Sequence, residues 1–268
     1  MVLSFMIVEL ESNPYHALSY LNAGPKREGH RYDTLPFLRG RVQGLPSGFR
    51  ALVAMGDLQG RSDFGVDDET LLGVAVANEL AEVQAGAGLP DPAECLGLLA
   101  GDFYTVPNAS KRGGTGDVRL VWQVMAETFR GLCGVAGNHD TFGGGKGASS
   151  RPPQDCLDGR VMALGALRIG GVSGIAGGGG FTLQRKEPGK FASMLESVLT
   201  ERPDILVLHA APFVDKRHVG SEWVADILRA SRYQGLVICG HCHWPERIQQ
   251  IGQATVLNVH EAVVTLGE

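Results

Sequence analysis

Apolar and polar positions fall into blocks along most of this chain. Five short, nearly unbroken apolar runs each stop at a polar cluster. They are "RALVAMGD", ending at Asp57; "CLGLLAGD", ending at Asp102; "LCGVAGNHD", ending at Asn138-His139-Asp140; "DILVLHA", ending at His209; and "GLVICGHCH", ending at His241 and His243. Apolar runs of this length mark strands buried on both faces. Helical spacing fills the gaps. "DDETLLGVAVANELAEVQA" opens on acidic residues suited to capping, "GDVRLVWQVMAETFRG" opens at Asp117, a third helix spans 188–200 from Pro188, and Ser221 caps "SEWVADILRAS".

"RVMALGALRIGGVSG" predicts a hairpin, and the tail "RIQQIGQATVLNVHEAVVTL" predicts two or three more strands. Residues 1–49 hold one strand-like run (2–8), then turn-rich sequence with Pro14, Pro25, Pro36 and Pro46. We read them as an irregular extension packed on a domain spanning 50–268. Strands and helices alternate through the middle and strands dominate the last quarter. That predicts an α/β fold with a mixed sheet, or two mixed β-sheets packed together and flanked by helices.

Composition narrows the function classes. A net charge of −5 leaves no global basic field for nucleic acid. A local patch remains, with Lys26, Arg27, Arg31, Arg39 and Arg41 able to dock an anionic substrate; a solvated extension is the blander reading. The apolar start "MVLSFMIVELES" is short, lacks a preceding basic residue and is closed by Glu9 and Glu11. It reads as neither signal peptide nor membrane span, so we expect a soluble, cytoplasmic protein with no membrane partner. The five cysteines, an odd number, read as buried reduced thiols.

The 38 glycines, about twice the usual share of roughly 7%, cluster at 111–116, 143–147 and 177–180 without a repeat. "GGGKGASS" lacks the Lys-Ser/Thr step and following helix of a phosphate-binding P-loop. It reads instead as a flexible loop after GNHD, able to cover a site.

The letters CGHC at 239–242 match a disulfide-isomerase motif. That chemistry needs the first cysteine at a helix N-terminus, and the residues after Pro245 look like strand. A zinc knuckle needs a second ligand pair, and only His260 is on offer. The histidines therefore carry the interest. Cys242, alternating with them on a strand, would face the other way as a small buried residue.

The polar endings fall at the carboxyl ends of the strands, where open α/β sheets bind ligands. Aspartate, asparagine and histidine are hard to borderline donors, suited to Mn²⁺ first, with Fe or Zn²⁺ as alternatives. About seven donors exceed the needs of one tetrahedral ion. Two divalent ions bridged by a carboxylate could clamp the attacking and leaving oxygens of a phosphoryl transfer.

In order, "GDLQG", "AGD", "AGNHD", "VLHAAP" and "CGHCHW" resemble the calcineurin-like metallophosphoesterase superfamily from residue 50 to about 260. GNHD and GHCH are the specific pieces. The resemblance implies a four-layer sandwich of two sheets between helix layers. It implies that Asp102 bridges two metals, that Asn138, His209 and His241 complete one site, and that Asp57 and His243 belong to the other. His139 would be the general acid and a bridging hydroxide the nucleophile. The sequence departs at Gln59, where similar enzymes carry histidine. A weaker, harder amide donor there implies looser metal binding or a preference for Mn²⁺.

The function expected is metal-dependent hydrolysis of a phosphate ester, mono- or diester. The rivals are a nuclease or cyclic-nucleotide phosphodiesterase on the same metals, and a non-catalytic interaction module in which Gln59 marks a degenerate site. Arg61 is a candidate contact for the substrate phosphate, against a solvated turn arginine. His218 reads as an exposed loop histidine. His16 and His30 read as surface residues, and His260 is given no role. Trp244 could stack on a nucleobase or belong to the core. The partner expected is a phosphate-ester substrate, with nucleotide or nucleic acid among the options, and the sequence sets no oligomeric state.

Overall fold

The computed structural model describes residues 6–24, 29–45, 47–63, 69–111, 113–143, 151–177 and 183–268. The first third contributes β1 (Met6–Leu10), β2 (His16–Ala23), β3 (His30–Gln43), β4 (Ala51–Gly56), β5 (Arg61–Asp63), β6 (Glu69–Leu71) and helix α1 (Leu72–Gly86). The middle adds β7 (Leu96–Leu99), β8 (Gly116–Asp117), α2 (Arg119–Thr128), β9 (Gly131–Gly134), β10 (Asp140–Thr141), β11 (Arg160–Leu164) and β12 (Leu167–Val172). The remainder holds β13 (Ile175–Ala176), β14 (Arg185–Lys186), α3 (Pro188–Thr200), β15 (Ile205–Ala210), α4 (Glu222–Ser231), β16 (Leu236–Gly240), β17 (Ile248–Ile251), β18 (Ala254–Asn258) and β19 (Ala262–Gly267).

This is a mixed α/β fold. A nine-stranded sheet runs β6-β5-β2-β3-β19-β4-β7-β9 with β1 paired to β3, and a six-stranded sheet runs β11-β12-β15-β16-β18-β17. The pairs β4–β7 and β7–β9 are parallel in the first sheet, as are β12–β15, β15–β16 and β16–β18 in the second. Of these strands β4, β7, β9, β15 and β16 are the five apolar runs, covered on both faces.

Side-chain alternation shows what each face covers. Ala51, Val53 and Met55 of β4 join a cluster with Leu80 of α1 and Trp122 and Met125 of α2. Leu52 and Ala54 point the other way, into a cluster with Ile169, Ile205, Val207, Leu236 and Ile238 of the six-stranded sheet. Leu206, Leu208, Val237 and Cys239 turn away from that cluster, toward Leu195 of α3 and Val224 and Leu228 of α4.

The helix at 188–200 has its predicted bounds, with Pro188 in the first turn, where its missing N–H costs nothing. Ser221 caps α4 by accepting from the Val224 N–H. The 160–172 hairpin and the C-terminal strands also form as expected.

Two expectations fail. Residues 6–43 are not irregular: β1, β2 and β3 join the nine-stranded sheet, and β3 pairs in parallel with β19. Pro14 falls between β1 and β2. Pro36 sits within β3 opposite Ala17, but β19 joins the other side of β3 only from Phe37 onward. Its lack of an N–H is therefore tolerated. Helix α1 also starts later than its acidic residues suggest. Glu69–Leu71 pair with β5, and the Leu72 N–H donates to the Gly60 carbonyl before the helix begins. Asp67 and Asp68, and the loop 144–150, lie outside the described residues. No helix among the described residues is long and apolar enough to cross a membrane.

Candidate metal centre

The strand endings converge. One ligand atom each from Asp102, His209 and His241 lies within 4.8 Å of the others. Asp102 follows β7, His209 lies in β15 and His241 follows β16, so neighbouring strand ends of both sheets meet here. His209 is fully buried. Its Nδ1 lies 2.8 Å from the Ala100 carbonyl, which leaves Nε2 directed at Asn138 Oδ1 (3.1 Å) and Asp102 Oδ2 (3.3 Å). A histidine held through one nitrogen by a carbonyl presents the other to a metal. The His209 and His241 rings meet edge to face at 4.9 Å.

Asp57 and Asp102 are 4% and 2% exposed, a burial carboxylates accept only with partners. Asp102 Oδ1 accepts the His139 N–H at 2.8 Å, and Asp57 Oδ2 accepts the His241 N–H at 2.8 Å. Gln59, in the turn after β4, donates through Nε2 to Asp102 Oδ2 at 3.4 Å. Room for these groups comes from glycine: a Cβ at Gly137 would overlap the Asp102 carboxylate, and one at Gly240 would overlap that of Asp57.

The backbone is strained where the donors sit. Asp57, Asp102 and His241 have φ of 54°, 60° and 66°, in the left-handed region that non-glycine residues avoid. Each such position costs on the order of 1 kcal/mol or more and persists only where the surroundings enforce it. Three at one cluster of strand ends single it out as the candidate site.

Electrostatics favour a cation. Burial alone would depress His209, but the Asp102 charge overrides it and pushes the imidazole up to about 10. Burial opposes the charge on Asp102, yet the His209 cation and hydrogen bonds hold its carboxyl below the usual range. Burial and then the His209 charge push His241 down to about 4, leaving a neutral donor. A bound divalent ion would take over the charge that the His209 proton supplies. The donor set of carboxylates, an amide and imidazoles fits such an ion.

Comparison with known proteins assigns no family. No protein-family model matches the sequence, and no curated protein matches it. Among solved structures, TT1561 of Thermus thermophilus aligns at TM-score 0.48 and 14% identity, over 78% of this chain and 88% of that one. Another solved structure aligns at TM-score 0.49 and 13% identity, over 78% and 90%. Both are distant likenesses and lend this chain neither a family nor an activity.

Other sequence expectations resolve one by one. His139 is half-buried beside Gly113, with a buried Nδ1 that has no hydrogen-bond partner among the described residues. Arg61 is no solvated turn residue: it is 9% exposed, and its guanidinium donates to the Thr105 and Val106 carbonyls, bracing the loop after Asp102. His218 is not exposed either. Its ring is buried between Asp215 Oδ1 at 2.8 Å and Glu246 Oε2 at 2.9 Å, pinning its loop to the segment before β17. Trp244 is core: it is 2% exposed and donates to the Val219 carbonyl, so no base stacks on it.

Of the other proposed surface histidines, His30 is exposed, while His16 is half-buried against the edge of Phe37. Cys242 leaves the strand alternation because β16 ends at Gly240 and the chain turns; the residue is half-buried. All five cysteines are free. Burial pushes the Cys239 thiol well up and raises Cys242, the reverse of a redox-active thiolate. Arg31, Arg39 and Arg41 pair with Asp33, Glu11 and Glu9, so these three members of the basic stretch are locally neutralised. Lys26 and Arg27 lie outside the described residues.

Sequence reasoning missed two residues. Asp140 is fully buried and accepts three backbone N–H groups, from Asp102, Phe103 and Gly137 at 2.7–2.8 Å, locking two strand ends together. Burial and the Asp102 charge still push it up to about 7. Its place in GNHD was the available signal. His260 comes within 3.2 Å of Asp57 through an isolated pairing with Gly56, which no local pattern foretells.

Proposed function

We propose that this protein is a metal-dependent phosphoesterase with a dinuclear centre at its strand ends. The observation that carries the reading is the convergence of Asp102, His209 and His241 within 4.8 Å, with Asn138, Asp57 and Gln59 tied to them. Apolar clusters between the two sheets and beneath each helix pair support a four-layer sandwich of the calcineurin-like type.

Two divalent ions, Mn²⁺ first and Fe or Zn²⁺ as alternatives, would supply Lewis acidity: they would acidify water and neutralise phosphate charge. Asp102 would bridge, with Asn138, His209 and His241 on one side and Asp57, Gln59 and His243 on the other. The chain's own contribution is orientation and a proton. His139, anchored to Asp102 through its N–H, gives a proton to the leaving oxygen as the bond from phosphorus to that oxygen breaks. Arg61 braces the loop behind the site, where we assign it support and not phosphate contact.

The test is hydrolysis of paired monoester and diester chromogenic substrates by chelator-stripped protein titrated with Mn²⁺, with His139→Ala alongside. Metal-dependent turnover that falls about a hundredfold or more in the variant, with metal content unchanged, is the expected result. The faster ester assigns the substrate class. A preference for diesters would select the nuclease or cyclic-nucleotide reading, which the buried Trp244 and paired arginines do not favour. No turnover with any divalent ion would overturn the enzyme reading and leave a binding module.

A further inference from the structure

We propose that His260 is an additional nitrogen ligand of the Asp57 half of the centre, standing in for the imidazole that Gln59 does not provide. The inference rests on the metal reading above.

His260 lies in the turn between β18 and β19. The backbone delivers it to the site, since Gly56 and His260 form an isolated parallel bridge immediately before Asp57. Its N–H donates to Asn258 Oδ1 at 2.9 Å, and its carbonyl accepts from Arg247 Nη1 at 2.8 Å. Asn258 is itself fixed, donating through Nδ2 to the Cys242 carbonyl between the two GHCH histidines. The position is therefore held from both directions before any ligand arrives, as a binding residue requires.

The ring is in the right place. Nδ1 is 3.2 Å from Asp57 Oδ2, the His243 ring stands edge-on at 6.1 Å, and the side chain is 17% exposed. The His260 ring thus has both Asp57 and the His243 ring as neighbours. The Asp57 contact is close but lacks hydrogen-bond alignment, and Nδ1 is buried with no hydrogen-bond partner among the described residues. Its neighbour there is the Asp57 carboxylate, an ion-pair partner for a protonated imidazole and a fellow ligand for a neutral one. A lone pair aimed at an ion shared with Asp57 fits this spacing, since two donors to one ion sit about this far apart. Gln59 Nε2 donates to Asp102, so this residue offers at most its amide oxygen, a weaker ligand than an imidazole nitrogen.

The experiment is a Mn²⁺ titration of the stripped full-length chain, with free Mn²⁺ read by electron paramagnetic resonance. Wild type, His260→Ala and His260→Gln are compared, with thermal melting in chelator to show that each variant folds. We expect two ions in wild type, and in both variants one ion at least tenfold weaker while the other is unchanged. Added imidazole should restore the weakened ion in His260→Ala alone. That rescue separates a ligand from a packing residue. Two ions of unaltered affinity in folded variants would overturn the assignment of His260 and leave the metal reading standing. A wild-type chain that binds no divalent ion would overturn both.

Discussion

The two halves of the centre are built differently. Around His209 the donors are cross-linked, and all but His241 are buried: Ala100 holds one nitrogen, Asn138 and Asp102 face the other, and Asp140 ties the Asp102 and Asn138 turns together. Around Asp57 the set is looser. His243 is exposed, Gln59 is half-buried and turned toward Asp102, and His260 enters from a turn. The first half is preorganised by side-chain hydrogen bonds; in the second, Asp57 and His260 are held but Gln59 and His243 are less enclosed. Metal affinity should follow that order, because supporting partners typically matter 10–100-fold.

The largest effect expected is from Asp102→Asn. It removes the carboxylate common to both halves and leaves His209 without its counter-charge. Neither ion should survive dialysis, and turnover should fall to background; an elemental analysis that still found two ions would remove the bridge. Next is Asp140→Asn, which places an amide N–H₂ against one or more of three backbone donors. We expect a loss of about 3 kcal/mol in urea unfolding of the stripped protein. A smaller loss would mean that the turns hold without it.

Gln59→His addresses the contrast directly. Supplying an imidazole should tighten the weaker ion about tenfold, close to 1.4 kcal/mol, and bring the halves toward equality. Equal, tight occupancy of both sites in the wild-type protein, seen by anomalous scattering, would remove the contrast altogether.

The last effect is on pH dependence, and it is confined to the alkaline limb. His209 is raised in the folded, stripped protein from its ordinary 6.5 to about 10. Its contribution is therefore complete below about 6.5 and lost as pH rises through about 10. Stability of the stripped protein should decline between about pH 7 and 10, and His209→Gln should flatten that limb. An unchanged limb would separate His209 from the Asp102 charge.

Much of this molecule was legible from local pattern. The buried runs became the parallel strands, because strands with two covered faces have no polar face to display. The strand-end residues converged, because parallel strands carry their carboxyl ends to one edge. Pro188 and Ser221 announced helix starts through chemistry confined to a single turn. What stayed hidden depended on contacts distant in sequence. The N-terminal segment looked irregular because β3, on which β1 and β2 pair, joins the sheet through β19, more than two hundred positions away. Arg61, His218 and Trp244 carry polar groups and read as ambiguous, and only their partners made them structural.

The sequence by itself determined which residues stand at the strand ends, and so the donor types available. Tertiary structure decided how those donors meet: the left-handed turns at Asp57, Asp102 and His241, the clamp by Asp140, and the arrival of His260 beside Asp57. Local pattern carries hydrophobic periodicity over a few residues. The direction of a buried polar side chain is set by whichever distant group offers it a hydrogen bond or a charge.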